Sequence, residues 1–255
     1  MQITFKRAAK ALVVTATLLV CAEFGHGANP APRPAMEPRA LDLLKGLSAR
    51  LAPAKSFSFR TRSANEGPGK AIPSLTALGD AEVAVMRPNK LRARVRGGSP
   101  PFDFFFDGAT MTAYQPTLNV YATTEASKTL DMLMPFALEN AGILLPFADV
   151  LYSDPYVTLI RRITRARYAG VSTIAGKLCD HAAFAGPGGE WEIWVDARTA
   201  LPCRLTGTLP EIQGSPRFAV DFFDWKLDPP LSAASFAFAK PAGAVQMDFR
   251  TLIGQ

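Results

Sequence analysis

The chain has 255 residues, of which 48% are hydrophobic and 20% are charged. This composition supports a buried core and excludes a disordered tail, because disordered segments combine low hydrophobicity with high net charge. The 21 prolines exceed the usual share of about 5% and indicate many short elements separated by turns, and the net charge of +6 is modest. The glycine and proline content also excludes a coiled coil and a collagen-like chain.

The N-terminal segment has the features of a secretory signal. Three basic residues precede an uncharged apolar run at residues 11–20. The run is shorter than the roughly 20 residues that a membrane span needs, but it is typical of the apolar part of a signal peptide. We predict a signal peptide over residues 1–28 and an exported mature protein. Lipid anchoring at Cys21 is disfavoured, because the preceding Val20 is too bulky for the processing peptidase.

A proline-rich linker is predicted over residues 29–38, and the residues after it have helical spacing. Leucines recur at intervals of three and four over residues 39–52, which indicates an amphipathic helix, and Pro53 ends it. The leucines of the apolar stripe are Leu41, Leu44, Leu47 and Leu51.

Alternation of apolar and polar residues predicts short strands from residue 56 onward. The first group of strands is predicted at residues 56–62, 79–86, 91–96, 102–106, 111–115 and 119–122.

A helical insert is predicted at about residues 125–152, where the alternation stops. Thr124 is suited to cap a helix over residues 125–140, and residues 143–152 are apolar on nearly every side. Strands return after the insert, at residues 158–169, 178–184, 191–196, 202–209, 218–225 and 236–238. This order predicts an α+β fold, with one antiparallel sheet and helices on one face, in a single domain from about residue 39 to 255.

Two cysteines, Cys179 and Cys203, remain after the predicted signal peptide. An even number of cysteines in an exported protein suggests a disulfide. In a regular three-strand meander the two residues flank Val195, with Cα atoms about 9.6 Å apart, beyond the bridging limit of about 7 Å. A bulge, a strong curl or a register shift is needed to bring them together, so a disulfide and two separate thiols both stay open.

The residues give no support for catalysis. His181 is the single histidine of the mature chain, and it shares a strand face with Cys179, but no third or fourth ligand stands at metal-site spacing. No nucleophile-elbow, zinc-protease or phosphate-loop motif occurs. We predict no catalytic residue, no metal and no cofactor. We also predict no nucleic-acid partner, because basic and aromatic residues are not interleaved.

One strand carries cations at alternate positions, from Lys90 to Arg96. The simpler interpretation is the solvated outer face of a sheet. The alternative is attraction to anionic lipid headgroups or to another acidic polymer of the cell envelope. The headgroup-binding candidates are Arg92, Arg94 and Arg96.

Large apolar residues are in excess in two parts of the chain, the predicted strand at residues 102–106 and the insert. They either form an ordinary core between helices and sheet, or they line a cavity for acyl chains with the insert as plug or lid. The cavity candidates are Phe102, Phe104, Phe106, Met132, Met134, Phe136, Leu144, Phe147 and Leu151.

Several stretches of the mature chain resemble the bacterial periplasmic family called domain of unknown function 2092. They are RPNKLR at 87–92, FDG at 106–108, YA at 121–122, LPFAD at 145–149, GKLCDH at 176–181, the strand at 191–196, LP at 201–202, and FAF with PAGA at 236–244. The resemblance implies a periplasmic location and an architecture similar to the LolA- and LolB-like outer-membrane lipoprotein carriers. In that architecture a curled antiparallel sheet forms a half-barrel, and helices close its concave face.

The resemblance also implies a ligand class, since the lipoprotein carriers hold lipid or lipoprotein acyl chains. Together with the apolar excess, it predicts a non-enzymatic periplasmic protein that binds an acyl chain or a lipoprotein. The alternative is a scaffold or sensor module that binds another envelope protein without carrying lipid.

Overall fold

The computed structural model describes residues 35–67, 75–97, 101–126, 128–143, 145, 147–210 and 214–252. The predicted signal peptide, Cys21 and most of the predicted linker lie outside these ranges. The signal peptide, the fate of Cys21 and the extent of the single domain therefore stay predictions. Among the described residues, no helix has the length and apolar character to cross a membrane.

The helices and strands follow one another along the chain as two groups of strands separated by helices. The helices are α1 (Pro38–Leu51), α2 (Leu130–Ala141), α3 (Pro155–Ile160) and α4 (Phe249–Leu252). The first strands are β1 (Ser56–Glu66), β2 (Thr76–Met86), β3 (Lys90–Arg96), β4 (Phe102–Phe106), β5 (Thr110–Gln115) and β6 (Val120–Glu125). The later strands are β7 (Arg165–Ile174), β8 (Lys177–Gly186), β9 (Gly189–Asp196), β10 (Pro202–Thr208), β11 (Arg217–Leu227) and β12 (Val245–Gln246).

All the described strands form one open sheet in the order β12-β6-β5-β4-β3-β2-β1-β11-β10-β9-β8-β7. From β6 to β7 in this order, neighbouring strands pair antiparallel, and β1 joins the two groups by pairing with β11. The predicted α+β class, with a half-barrel sheet covered by helices, is confirmed. The prediction of a purely antiparallel sheet is wrong at one edge, because β12 pairs parallel with β6.

The core lies on the inner face of the sheet, against the helices. Alternate residues of the strands point inward, so that Phe104 and Phe106 of β4 are fully buried beside Leu91 of β3. α1 buries Leu44 and Leu47 of the predicted leucine stripe, and it lies against β7, β8 and α3. Burial of apolar side chains on one face is the main source of stability in such a layer.

α2 begins five residues later than predicted. β6 continues through Glu125, and the side chain of Thr129 accepts a hydrogen bond from the backbone N–H of Met132 at the helix start. Thr129 rather than Thr124 is therefore the N-cap. The helix continues through Pro135 and ends at Gly142, which has left-handed backbone angles.

The region after α2 also differs from the prediction. Where the structure describes residues 143–152, it shows a short 3-10 turn at Ala148–Val150, and α3 occupies part of the predicted strand at 158–169. Asp154 caps α3 by accepting a hydrogen bond from the backbone N–H of Val157, and Pro155 takes the first helical position. An acidic cap followed by proline is a helix-start signal, and it outweighs the β-branched residues that follow.

The predicted last strand, residues 236–238, is not a strand. The chain forms a 3-10 turn at Ala233–Phe236 and crosses the outer face of the sheet. The ring of Phe238 packs on Phe105, Tyr114 and Tyr121, with centroid distances of 5.1–5.7 Å. We call residues 228–244 the C-terminal strap. It covers apolar side chains on the outer face, and this accounts for the strand-like spacing of its phenylalanines.

Candidate functional site

A groove of about 370 Å³ opens on the inner face of the sheet, beneath α3. We call it the inner groove. Its apolar lining comes from Leu159 and Ile163 at and after α3, and from Trp191, Leu205 and Phe218 of the sheet. Leu205 is buried, while Trp191 and Phe218 are half-buried and present part of their rings to the groove.

The aromatic floor of the groove is positioned by packing against neighbouring strands. Trp191 stacks on Phe184 of the adjacent strand, with ring centroids 4.2 Å apart. Gly207 lies beneath the rings, and a Cβ at that position would stand 2.9 Å from Phe218 Cε1 and 3.2 Å from Trp191 Cβ. A side chain at residue 207 would therefore displace the rings, so glycine there is what allows them to lie close to the sheet.

α3, beside the groove, is attached to α1 through two hydrogen bonds at Ser48, whose oxygen accepts one of 3.3 Å from the backbone N–H of Tyr156. The hydroxyl of Ser48, which is buried on α1, donates a hydrogen bond of 2.8 Å to Oδ1 of Asp154. This hydrogen bond and those from the backbone N–H groups of α3 lower the pKa of Asp154, although partial desolvation opposes them. The carboxylate thus stabilises the first turn of a helix that is too short to persist alone.

The groove has a basic rim and one buried acid. Arg161 and Arg162 are exposed, and neither forms an ion pair with another described residue. Asp149 also lines the groove, and part of its surface remains exposed to solvent. Its carboxyl has no hydrogen-bond partner among the described residues. The surrounding protein nevertheless desolvates the carboxyl, which raises the pKa of Asp149. The arrangement suits a ligand with an apolar body and an anionic end.

The residues predicted to line a cavity fall in three environments. Phe102 and Phe136 are half-buried, the side chain of Met132 is 58% exposed, and Leu144 lies outside the described residues. The remaining five are buried in the core: Phe104, Phe106, Met134, Phe147 and Leu151. Phe147 contacts Phe59 edge-on at 5.7 Å, which is core packing. Seven of the nine residues thus belong to one packed core, and their role as the lining of a ligand cavity stays a prediction.

The inner groove was missed because its residues come from distant parts of the chain. Two local signals could have found part of it: the alternation within β9 places Trp191 on one face with Ile193 and Val195, and Asp154–Pro155 is a helix-start pair. No local pattern tells which helix covers which part of a sheet. Phe218 and Leu159 consequently gave no separate signal.

The predicted cations lie on the outer face, among acidic residues of neighbouring strands. Arg96 pairs with Asp103 at 2.6 Å, and Arg94 with Glu82 at 3.7 Å. Arg92 has no acidic partner among the described residues and lies 5.2 Å from the ring centroid of Phe105. A solvated outer face accounts for Arg94 and Arg96, since exposed pairs of this kind contribute little energy.

The structure places a disulfide between Cys179 and Cys203, with Cα atoms 6.9 Å apart. The strand between them, β9, pairs with both flanking strands, but the register of β10 shifts between Pro202 and Arg204. Cys203 is the extra residue of this β-bulge. The bulge supplies the departure from a regular meander that bridging requires.

His181 packs near the disulfide on the outer face rather than in the inner groove. Its ring stacks on Trp194 at 4.0 Å, and its Nε2 lies 2.7 Å from Oε2 of Glu192. Among the described residues, no three His, Cys, Asp or Glu side chains are grouped so that they could hold a metal ion. His181 is accounted for by packing and by this hydrogen bond.

Comparison with protein families gives one match that spans most of the chain. Residues 40–250 match the model of a family described as "Predicted periplasmic protein (DUF2092)". Comparison with curated proteins gives no match.

Solved structures with a similar course of the chain are distant in sequence. An uncharacterized conserved protein from Thermus thermophilus is 9% identical, with a TM-score of 0.49, and the match covers 82% of this chain and 99% of that one. Lipoprotein LppX from Mycobacterium tuberculosis is 13% identical, with a TM-score of 0.46 and coverages of 77% and 98%. A LolA superfamily protein from Nitrosomonas europaea is 10% identical, with a TM-score of 0.38 and coverages of 78% and 97%.

Proposed function

The chain belongs to the DUF2092 family of predicted periplasmic proteins, and from that premise we propose that it is a non-enzymatic periplasmic protein whose inner groove binds an acyl chain. The acyl chain belongs to a lipid or to a lipoprotein. The observation that carries the proposal is the apolar floor of Trp191, Leu205 and Phe218 beneath α3.

The size and chemistry of the groove support this ligand class. Its volume of about 370 Å³ lies within the usual range of roughly 300–1,000 Å³ for ligand sites. Some apolar rings remain half-exposed in the folded protein. Removing them from water lowers the free energy, which favours binding of an apolar ligand. The acyl chain lies along these rings, and its carboxylate or phosphate end faces Arg161 and Arg162.

Binding of a dansyl-labelled undecanoic acid tests the proposal, with energy transfer from tryptophan as the signal. Trp191→Ala removes the largest ring of the floor, and we expect affinity to fall at least tenfold. Trp194→Ala is the matched control. It removes the same residue type from the same strand, but Trp194 lies on the outer face, stacked on His181.

The proposal fails if the unmodified protein does not bind the fatty acid. It also fails if Trp191→Ala and Trp194→Ala weaken binding equally, because the loss would then reflect general destabilisation. Thermal unfolding of both variants, followed by circular dichroism, separates a binding effect from a folding effect.

A second candidate function is docking of another envelope protein at the edge strand β7. Met36 forms an isolated β-bridge with Ala166 near the start of β7. The rest of β7 lies at the edge of the sheet, and the side chain of Val171 is 57% exposed. An edge strand can accept a strand of a partner chain. Native mass spectrometry of the periplasmic protein distinguishes the two functions. A bound lipid mass favours the acyl groove, and a bound protein lost on Val171→Asp favours docking.

A further inference from the structure

The outer face of the sheet, opposite the helices, contains a second groove of about 590 Å³. We call it the outer groove. It crosses β11, β1, β2 and β3, and Ser58 and Ala84 form its floor as direct cross-strand neighbours. The residues two positions along each strand, Arg60 and Glu82, are long. The groove thus exists because two small side chains are neighbours on a surface that otherwise consists of long side chains.

Two cations stand at opposite ends of this floor. The strand register places Lys226 beside Ser58, and Arg92 beside Ala84. Because strands are about 4.8 Å apart, the Cα atoms of Lys226 and Arg92 are separated by roughly 14 Å. Both side chains line the groove and are long enough to reach a single small ligand from its two ends.

A β-bulge fixes one end of the groove. Ser58 pairs with Lys226 and Arg60 pairs with Phe223, so β11 contains one residue more than β1 in this interval. Asp224 has a left-handed φ of 55° within the bulge. A bulge re-aims the side chains around it, and such irregularities recur at functional sites. Here both Asp224 and Lys226 line the groove.

The charges of the groove do not balance. Glu82 is shared between Arg60 at 3.9 Å and Arg94 at 3.7 Å, and Asp224 pairs with Arg60 at 3.5 Å. The two acids of the lining are therefore already engaged. The two cations at the ends of the floor form no ion pair with a described residue, so four cations face two acids.

Arg92 is held in place without an acidic partner. Its Nε is buried and has no hydrogen-bond partner among the described residues. One terminal nitrogen lies 3.5 Å from the carbonyl oxygen of Ser235 in the C-terminal strap, and the ring of Phe105 lies on another side. A guanidinium that is partly removed from water without a counter-ion is costly. An anionic ligand would offset that cost.

We propose that the outer groove binds an oxyanion of the phosphate or carboxylate type between Lys226 and Arg92, over Ser58 and Ala84. The oxyanion accepts hydrogen bonds from the ammonium, from the guanidinium and from the hydroxyl of Ser58. This site lies on the opposite face of the sheet from the inner groove and does not depend on the acyl-binding proposal. Its ligand chemistry is shared by lipid headgroups and by soluble phosphate esters.

Titration of the exported protein with pyrophosphate, and with vesicles of phosphatidylglycerol or phosphatidylcholine, tests the site. We expect binding of pyrophosphate or of phosphatidylglycerol vesicles, and a loss of roughly tenfold in affinity for Lys226→Gln and for Arg92→Gln. The matched controls are Lys240→Gln and Arg96→Gln. Each removes one positive charge outside the outer groove, so each should leave the affinity unchanged within about twofold.

Ala84→Glu provides a test in which a loss of binding cannot be attributed to unfolding. It places a carboxylate between the two cations, so it should abolish anion binding while raising the melting temperature. Binding of pyrophosphate supports a site for soluble phosphate esters, and binding of phosphatidylglycerol vesicles alone supports a headgroup site. Binding of neither ligand, or equal losses in the Lys226 and Lys240 variants, overturns the proposal.

Discussion

Ser48 on α1 donates a 2.8 Å hydrogen bond to Asp154, the residue that caps α3. The two residues are 106 positions apart in sequence. Because α3 borders the inner groove, this contact connects the packing of the first helix to the shape of the groove. The contact therefore permits a test of whether the groove depends on α3.

Ser48→Ala should lower stability by about 1–2 kcal/mol, because it removes two hydrogen bonds with a usual net contribution of about 1 kcal/mol each. It should also weaken fatty-acid binding, because α3 loses its hydrogen bonds to α1. Thermal unfolding and the dansyl titration measure the two effects. Ser63→Ala is the control, since it removes a serine hydroxyl that donates to the carbonyl of Gly79 rather than to α3. Unchanged binding in Ser48→Ala would show that the groove does not need this attachment.

The stability effect of Ser48→Ala should depend on pH. The hydrogen bond from Ser48 lowers the pKa of Asp154 in the folded protein, so its contribution is present above the ordinary carboxyl pKa of about 3.9. It is lost as the pH falls through the lowered folded-state pKa. The difference between the original protein and the variant should therefore shrink in acid. Urea unfolding between neutral and acidic pH measures it, and a constant difference would contradict the assignment.

Asp149→Asn should stabilise the protein at neutral pH, because it removes a carboxylate that the folded protein desolvates. Burial raises the pKa of Asp149 in the folded state, so the unfolded chain ionises at a lower pH than the folded chain does. Stability thus falls as the pH rises from the ordinary carboxyl pKa to the raised one. The advantage of Asp149→Asn should grow over that interval and then stay constant. Glu139→Gln, on the exposed side of α2, is the matched control for removing one carboxylate in the same unfolding series.

Reduction of the disulfide should destabilise the protein by about 3 kcal/mol in the chain-entropy model, given the separation of 24 residues between Cys179 and Cys203. Mass spectrometry without reduction should show the two cysteines linked. A Cys179→Ser, Cys203→Ser double variant should unfold at lower urea concentration, and added reductant should have no further effect on it. Two freely alkylated thiols in protein from the periplasm would count against the bond.

Met134→Trp should destabilise the protein by about 1–3 kcal/mol, because the side chain of Met134 is buried in the core. Met132→Trp is the matched control, since Met132 lies two residues away on the same helix and its side chain is 58% exposed. The control should change stability little. A tolerated Met134→Trp that weakens fatty-acid binding would instead support a ligand cavity at this position.

Gly207→Ala should weaken fatty-acid binding more than it weakens folding. The added Cβ would meet the far end of the Phe218 ring at 2.9 Å, and that ring is half-buried and able to shift. The shift changes the floor of the inner groove. Gly46→Ala is the control, because nothing lies within 4 Å of the added atom on α1. Gly46→Ala should stabilise the helix by up to about 1 kcal/mol and leave binding unchanged.

Local periodicity was sufficient to predict most of the sheet. In β3 the apolar Leu91 and Ala93 alternate with Arg92 and Arg94, and the structure buries the first pair and leaves the second on the outer face. The same reasoning failed at residues 236–238, where two phenylalanines at strand spacing belong to the C-terminal strap. Period-2 spacing indicates that two side chains point in the same direction, but it does not indicate that the backbone pairs with a neighbouring strand.

The candidate sites depended on features that have no local signature. The disulfide required a bulge at Cys203, and the outer groove required one at Asp224. The inner groove required α3 to lie beside Trp191 and Phe218, which are about thirty to sixty residues further along the chain. Such placements follow from long-range packing, and a single sequence contains no periodic pattern that encodes them.

The two edges of the sheet limit how copies of this chain could assemble through strand pairing. Among the described strands, β12 at one edge contributes two residues and is followed closely by α4, and β7 at the other edge presents a longer stretch of strand. A strand added at β7 by a second copy would have to be that copy's own β7, which produces a two-fold symmetric pair. In such a pair the outermost described strand at each end is β12, whose two residues offer little backbone for further pairing.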